Sequence, residues 1–184
     1  MKRHALILAA ALALAAHGGT AQAVLAPGAQ APAFTAQASQ GGQVFDFDMA
    51  QALRKGPVVL YFYPAAFTQG CTIEARNFAE AIDEYHALGA TVIGVSADDI
   101  ETLKKFSVSE CRGKFAVAAD ADGKIMKAYD AVSDRRPESA KRTSYVISPA
   151  GKVVYEYTDL SPEHHVPNTL KALRDWRASH PSGE

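Results

Sequence analysis

The chain holds two cysteines, Cys71 and Cys111. Joined, they would close a loop of about 40 residues and stabilise the fold by about 4 kcal/mol in the chain-entropy model. Counting cysteines alone therefore favours a static disulfide. The residues around Cys71 argue for reactivity instead. In VVLYFYPAAFTQGCTIEARNFAEAI, Val58 to Ile82, an apolar strand ends at Pro64 and a helix begins near Gly70, so Cys71 falls in the first helical turn. Unpaired backbone N–H groups and the positive end of the helix dipole there favour thiolate over thiol. Pro64 shapes the turn and has no N–H to give to a ladder. Thr68, three residues before the cysteine, offers a hydroxyl able to donate or accept beside the sulfur.

The flanking elements must hold that junction in place. KGPVVLYFYP is a continuous apolar strand bounded by Gly56-Pro57 and Pro64, which predicts a central position buried on both faces. Phe78, Ile82, Tyr85 and Leu88 mark one face of the following helix, and Gly89 stops it. ATVIGVSA reads as a second buried strand, Asp98 or Asp99 as the cap of a helix reaching about Ser109, and KFAVAADADG as a shorter strand. Ile125 to Tyr129 is a brief helix, TSYVISPAGKVVYEY a hairpin, and Val166, Leu170, Leu173 and Trp176 the inner face of a closing helix. Upstream, QVFDFDMAQAL is a short strand running into a helical turn. Parallel crossovers followed by an antiparallel pair predict a thioredoxin-like α/β fold, a mixed central β-sheet flanked by helices.

Residues 1–23 have the layout of a secretory signal peptide: basic MKRH, an apolar run from Ala5 to Ala16, and AQA before cleavage after Ala23. The run is shorter than the roughly 20 residues a spanning helix needs. The mature unit expected is one domain, residues 24–184, periplasmic or secreted. Its formal charge moves from −1 to −3 once Lys2 and Arg3 are gone, which gives no electrostatic footprint for nucleic acid or an anionic membrane. An oxidising compartment lets the two cysteines pair.

Pro64, Thr68 and Cys71 reproduce the PxxxTxxC motif of the peroxiredoxins, and YFYPAAFTQGCTIEARNF resembles their Q-type branch, the bacterioferritin comigratory proteins. The likeness extends through VIGVSADD, AADADGKIMKAYD and KRTSYVISPAGKVV. It implies a thiol-dependent peroxidase that needs no metal, flavin or haem. Cys71 would be the peroxidatic residue, attacking hydrogen peroxide or an organic hydroperoxide and becoming a sulfenic acid. Arg142, before the strand Thr143-Ser144-Tyr145-Val146-Ile147, matches the family's active-site arginine, and its planar fork suits the role. Glu74, one turn after Cys71, either orients Arg142 or is an ordinary exposed helix residue. Many Q-type members carry a resolving cysteine five residues after the first; here that position is Arg76, and Cys111 takes the place of the resolver of another subgroup. The reductant implied is a thioredoxin-like or glutaredoxin-like protein, and the expected state is a monomer.

Three other readings stay open on the sequence: a one-cysteine peroxidase, a thiol-disulfide oxidoreductase, and a non-catalytic exported module stapled by Cys71 and Cys111. The second lacks its CxxC, because position 74 is Glu74. Arg135, Arg136 and Lys141 read as solvated loop residues. His164 and His165, with no Cys or Asp ligand beside them, read as solvated or capping rather than metal-binding.

Overall fold

The computed structural model describes residues 24–181; the signal-peptide expectation for residues 1–23 lies outside them. Seven strands form one mixed sheet: β1 (Thr35–Gln40), β2 (Gln43–Asp48), β3 (Val58–Phe62), β4 (Thr91–Ser96), β5 (Ala116–Ala119), β6 (Thr143–Ile147) and β7 (Val153–Thr158). Their order across the sheet is β2-β1-β5-β4-β3-β6-β7. The helices are α1 (Met49–Lys55), α2 (Gln69–Ala87), α3 (Ile100–Ser109), α4 (Lys124–Ala128) and α5 (His165–Ser179).

The central strand is β3, paired in parallel with β4 and antiparallel with β6. Alternate residues feed two cores, which explains its unbroken apolar sequence. Val59, Tyr61 and Tyr63 point to the face covered by α2, α3 and α5. Val58, Leu60 and Phe62 point to the face covered by α1 and α4. Cys71 and Cys111 both belong to the first core.

The sequence-based elements appear within a residue or two of their expected ends, and β1 is an addition. Its TAQASQ has no strong apolar alternation; the strand forms because the Gly41–Gly42 turn folds it onto β2 while Ala38 and Ser39 pair with β5. Both turn glycines have positive φ, 55° and 81°, a region that glycine enters without strain. Asp99 is the cap of α3, its carboxylate accepting from the Thr102 N–H at 2.8 Å. Among the described residues, no helix is long and apolar enough to cross a membrane.

Candidate active site

Register explains why residues 71 positions apart in sequence meet. Antiparallel pairing sets Phe62 opposite Thr143, so the chain leaving β3 and the chain entering β6 lie side by side. Pro64 therefore turns away from the sheet next to Arg142, and the two share the lining of a cavity of about 490 Å³ with Leu160. Beyond the turn, Thr68 is the N-cap residue of α2, with extended backbone, and Cys71 is the third residue of the helix. The first α-helical bond runs from the Thr72 N–H to the Thr68 carbonyl at 2.9 Å, so the Cys71 N–H has no partner within the helix. The Thr68 hydroxyl donates to the Ala65 carbonyl at 2.9 Å, and the oxygen keeps its lone pairs to accept with.

The Asp98 carboxylate fixes this loop from outside, accepting from the Ala66 N–H at 2.7 Å and the Ser96 hydroxyl at 2.8 Å. Phe67 inside the loop has φ 62°, a left-handed conformation that costs a bulky residue about 1–2 kcal/mol. Its ring sits edge-on to Phe106 of α3 at 5.2 Å, and Phe106 in turn stacks on Tyr63 at 5.6 Å. The loop carrying Thr68 is thus packed against the helix that leads to Cys111.

Arg142 is the hub. Its Nη2 donates to Cys71 Sγ at 3.5 Å, its Nε to the Leu160 carbonyl at 2.9 Å, and its Nη1 to Glu74 Oε2. Gly70 makes the approach to sulfur possible, because a Cβ there would lie 2.9 Å from Arg142 Nη2. The guanidinium cannot retreat freely, being held at its other nitrogens. Burial opposes charge on Arg142, but Glu74 and Cys71 outweigh it and hold the guanidinium above its ordinary value.

Of the two sequence readings of Glu74, the structure displays the first: the side chain is fully buried and paired with Arg142. Burial pushes its carboxyl up to about 8, while Arg142 pulls the other way. Oε2 is bonded, but Oε1 has no hydrogen-bond partner and lies 3.6 Å from His165 Nδ1.

His165 corrects the expectation of a solvated or capping histidine. It is fully buried at the start of α5, its Nε2 3.0 Å from the Asp159 carbonyl and its Nδ1 2.8 Å from the Ser144 hydroxyl. A carbonyl only accepts, which assigns the proton to Nε2 and makes Ser144 the donor to Nδ1. Burial holds this ring neutral, pushing it down to about 4. His164 beside it is exposed at the N-cap position. Lys141 also departs from expectation: its side chain is only 19% exposed and reaches toward Asp134 at 3.7 Å, whereas Arg135 and Arg136 are exposed as read. Among the described residues, no cluster of His, Cys, Asp or Glu could hold a metal ion.

Cys111 follows α3 and is completely buried, and both thiols are unpaired. Burial, with the Glu110 carboxylate adding to it, pushes the Cys111 thiol well above its ordinary value.

Residues 27–156 match the AhpC/TSA family. The chain belongs to that family. A chloroplastic peroxiredoxin Q of Triticum aestivum is 38% identical over 120 residues, 65% of this chain and 55% of that protein, so this chain spans little more than half of that relative's length. A putative peroxiredoxin of Mycobacterium tuberculosis is 31% identical over 155 residues, 81% of this chain and 95% of that protein. The crystal structure of peroxidoxin BcpB from Mycobacterium tuberculosis superposes with a TM-score of 0.73 at 28% identity, covering 81% of this chain and 96% of that one. These relatives set the family member in the Q-type peroxiredoxin branch and give the thioredoxin-like fold a solved counterpart.

Proposed function

We propose that the protein is a thiol-dependent peroxidase in which Cys71 reduces the peroxide and Cys111 resolves the product as an intramolecular disulfide. The observation that carries this reading is the Arg142 guanidinium 3.5 Å from Cys71 Sγ at a helix N-terminus. The Cys71 thiolate attacks one peroxide oxygen in line with the O–O bond. That bond breaks, and charge grows on the departing oxygen, which leaves as water or an alcohol after protonation. In this reading Arg142, which contacts the sulfur, the Thr68 oxygen at the N-cap and the free first-turn amides of α2 orient the peroxide and receive the charge, so catalysis is positioning plus preorganised electrostatics. The buried Glu74, and behind it His165 and Ser144, keep Arg142 from turning away.

Hydrogen peroxide and organic hydroperoxides are the substrates of this reading, and a thioredoxin-like or glutaredoxin-like protein is the reductant. Its place of action is periplasmic or extracellular, supported by the signal-peptide layout of residues 1–23. The test is to add one equivalent of hydrogen peroxide to the reduced protein and count free thiols over seconds. The wild type is expected to lose both rapidly, and Cys71→Ser to lose none on that timescale. Slow loss in the wild type would contradict the assignment.

A further inference from the structure

The residues on either side of Cys111 are both charged, and both are tied to α2. Glu110 Oε2 lies 2.8 Å from Arg76 Nε and 2.8 Å from Arg76 Nη2. Arg112 Nη2 lies 3.2 Å from Glu80 Oε1. Arg76 and Glu80 are four residues apart on one face of α2, with charges in the reverse order of those flanking Cys111, so the segment fits against the helix in one register. Glu110 is an acid at the negative end of α3, an unfavourable place for it unless a cation compensates. Its side chain is only 12% exposed, and Arg76 is the cation. The backbone beyond is strained: Arg112 has φ 52°, in the left-handed region.

The other bonds of the segment are local or reach it from the surface. Cys111 and Glu110 donate to the Phe106 carbonyl, Gly113 to the Ser107 carbonyl and Lys114 to the Cys111 carbonyl, all at the C-terminal end of α3. The Gln40 amide reaches the Gly113 and Lys114 carbonyls at 3.3 and 3.2 Å from the surface. When the segment lifts, Arg76 and Glu80 remain as i,i+4 partners for each other, which lowers the cost of opening.

We propose that the Arg76–Glu110 and Arg112–Glu80 pairs form a latch that keeps Cys111 in the core, and that release of this latch sets the rate of disulfide formation. The inference rests on the reading of Cys111 as the resolving thiol. In the step concerned, the Cys111 sulfur attacks the Cys71 sulfenic sulfur. The S–S bond forms, the S–O bond breaks, and the hydroxyl leaves as water with the proton from the Cys111 thiol. The peroxide already consumed is the oxidant. A closed latch lengthens the life of the sulfenic acid and gives a second peroxide time to carry it to sulfinic acid. Arg76 and Arg112 are thus positioning residues for resolution, and because their side chains are 51% and 48% exposed, salt weakens their hold.

The test compares full-length wild type, Arg76→Gln, Arg76→Lys and Glu80→Gln, each reduced, mixed with one equivalent of hydrogen peroxide, quenched at intervals and alkylated. Mass spectra then separate sulfenic acid from disulfide. Appearance of the Cys71 sulfenic acid is expected to be unchanged in all four. Disulfide formation should accelerate roughly threefold to tenfold in Arg76→Gln and less in Glu80→Gln, whose pair is more exposed. Arg76→Lys should return most of the wild-type rate, and salt should speed the wild type more than Arg76→Gln. Amide exchange at Cys111, Gly113 and Lys114 should quicken in reduced Arg76→Gln, a readout independent of peroxide. Equal disulfide rates in all four proteins would overturn the latch and leave Cys111 as resolver. A wild type that accumulates sulfenic acid with Cys111 free would overturn both.

Discussion

Cys71 and Cys111 are equally buried in the same core, yet their surroundings prepare them for opposite behaviour. Cys71 has a helix N-terminus beneath it and a guanidinium on its sulfur, with that guanidinium held by the Leu160 carbonyl and the buried Glu74 side chain and brought close by the space at Gly70. Cys111 lies past the other end of a helix, with Glu110 before it and Arg112 after it, each committed to an ion pair with α2, and burial followed by the Glu110 charge disfavours its thiolate. Burial alone therefore does not make a thiol reactive: the sign of the nearby charge does, and so does how firmly it is fixed. The supports differ as well. Around Cys71 the fixing groups are buried; around Cys111 they are ion pairs whose arginines are half exposed, which salt and thermal motion loosen.

The strongest way to break this contrast is to spoil the fork on the Cys71 side. Arg142→Lys keeps the charge but cannot bond sulfur, Glu74 and Leu160 together, so the rate constant for peroxide reduction should fall roughly 100-fold. Loss of the bond to the Leu160 carbonyl should lower stability by about 1–2 kcal/mol, read from urea unfolding. Single-turnover kinetics beside that curve decides the matter; equal fractional loss of both would make Arg142 structural.

Gly70→Ala is a gentler probe. Alanine favours helix by about 1 kcal/mol over glycine, which offsets part of the cost of shifting the buried Arg142, so the stability change should be small beside the kinetic one. Its methyl displaces Arg142 Nη2, and the peroxide rate should drop roughly tenfold from mispositioning alone. Unchanged kinetics in this variant would show that the contact with sulfur does not matter.

The smallest effect expected is on pH dependence. Glu74 has its folded value raised from 4.5 to about 8 by burial, so the folded state keeps a proton that the unfolded chain releases. The stability this contributes is fully present below pH 4.5 and is lost as pH rises through 8. His165 is lowered from 6.5 to about 4, so its contribution is present above pH 6.5 and lost as pH falls through 4. The two oppose each other between pH 4.5 and 6.5, leaving Glu74 to act alone from 6.5 to 8. Urea midpoints should therefore decline over that upper window in the wild type and decline less in Glu74→Gln.

Much of the Cys71 side is legible in the sequence because it is local. Pro64, Thr68 and Cys71 lie within eight residues, and the apolar run of β3 and the periodicity of α2 place them at a junction. Arg142 is found only through the family motif, and Glu74 by its spacing leaves two readings open. What escapes is long-range or has no side-chain signal. The Leu160 acceptor is a backbone carbonyl, β1 exists through pairing rather than pattern, and His164 and His165 look alike until α5 turns one inward. Asp98, weighed as a cap beside Asp99, spends its carboxylate on the Ala66 loop. The pairs that flank Cys111 join residues more than thirty positions apart, and nothing in either stretch announces the other.

The division of labour between the two thiols is tested most directly by intact-mass spectra of wild type and Cys111→Ser after one equivalent of hydrogen peroxide. The wild type is predicted to lose two hydrogens, the mark of a disulfide, while Cys111→Ser completes the first turnover and gains one oxygen at Cys71, then a second with more peroxide. A wild type that instead gains oxygen at Cys71 and keeps Cys111 alkylatable would contradict the account and establish a one-cysteine peroxidase.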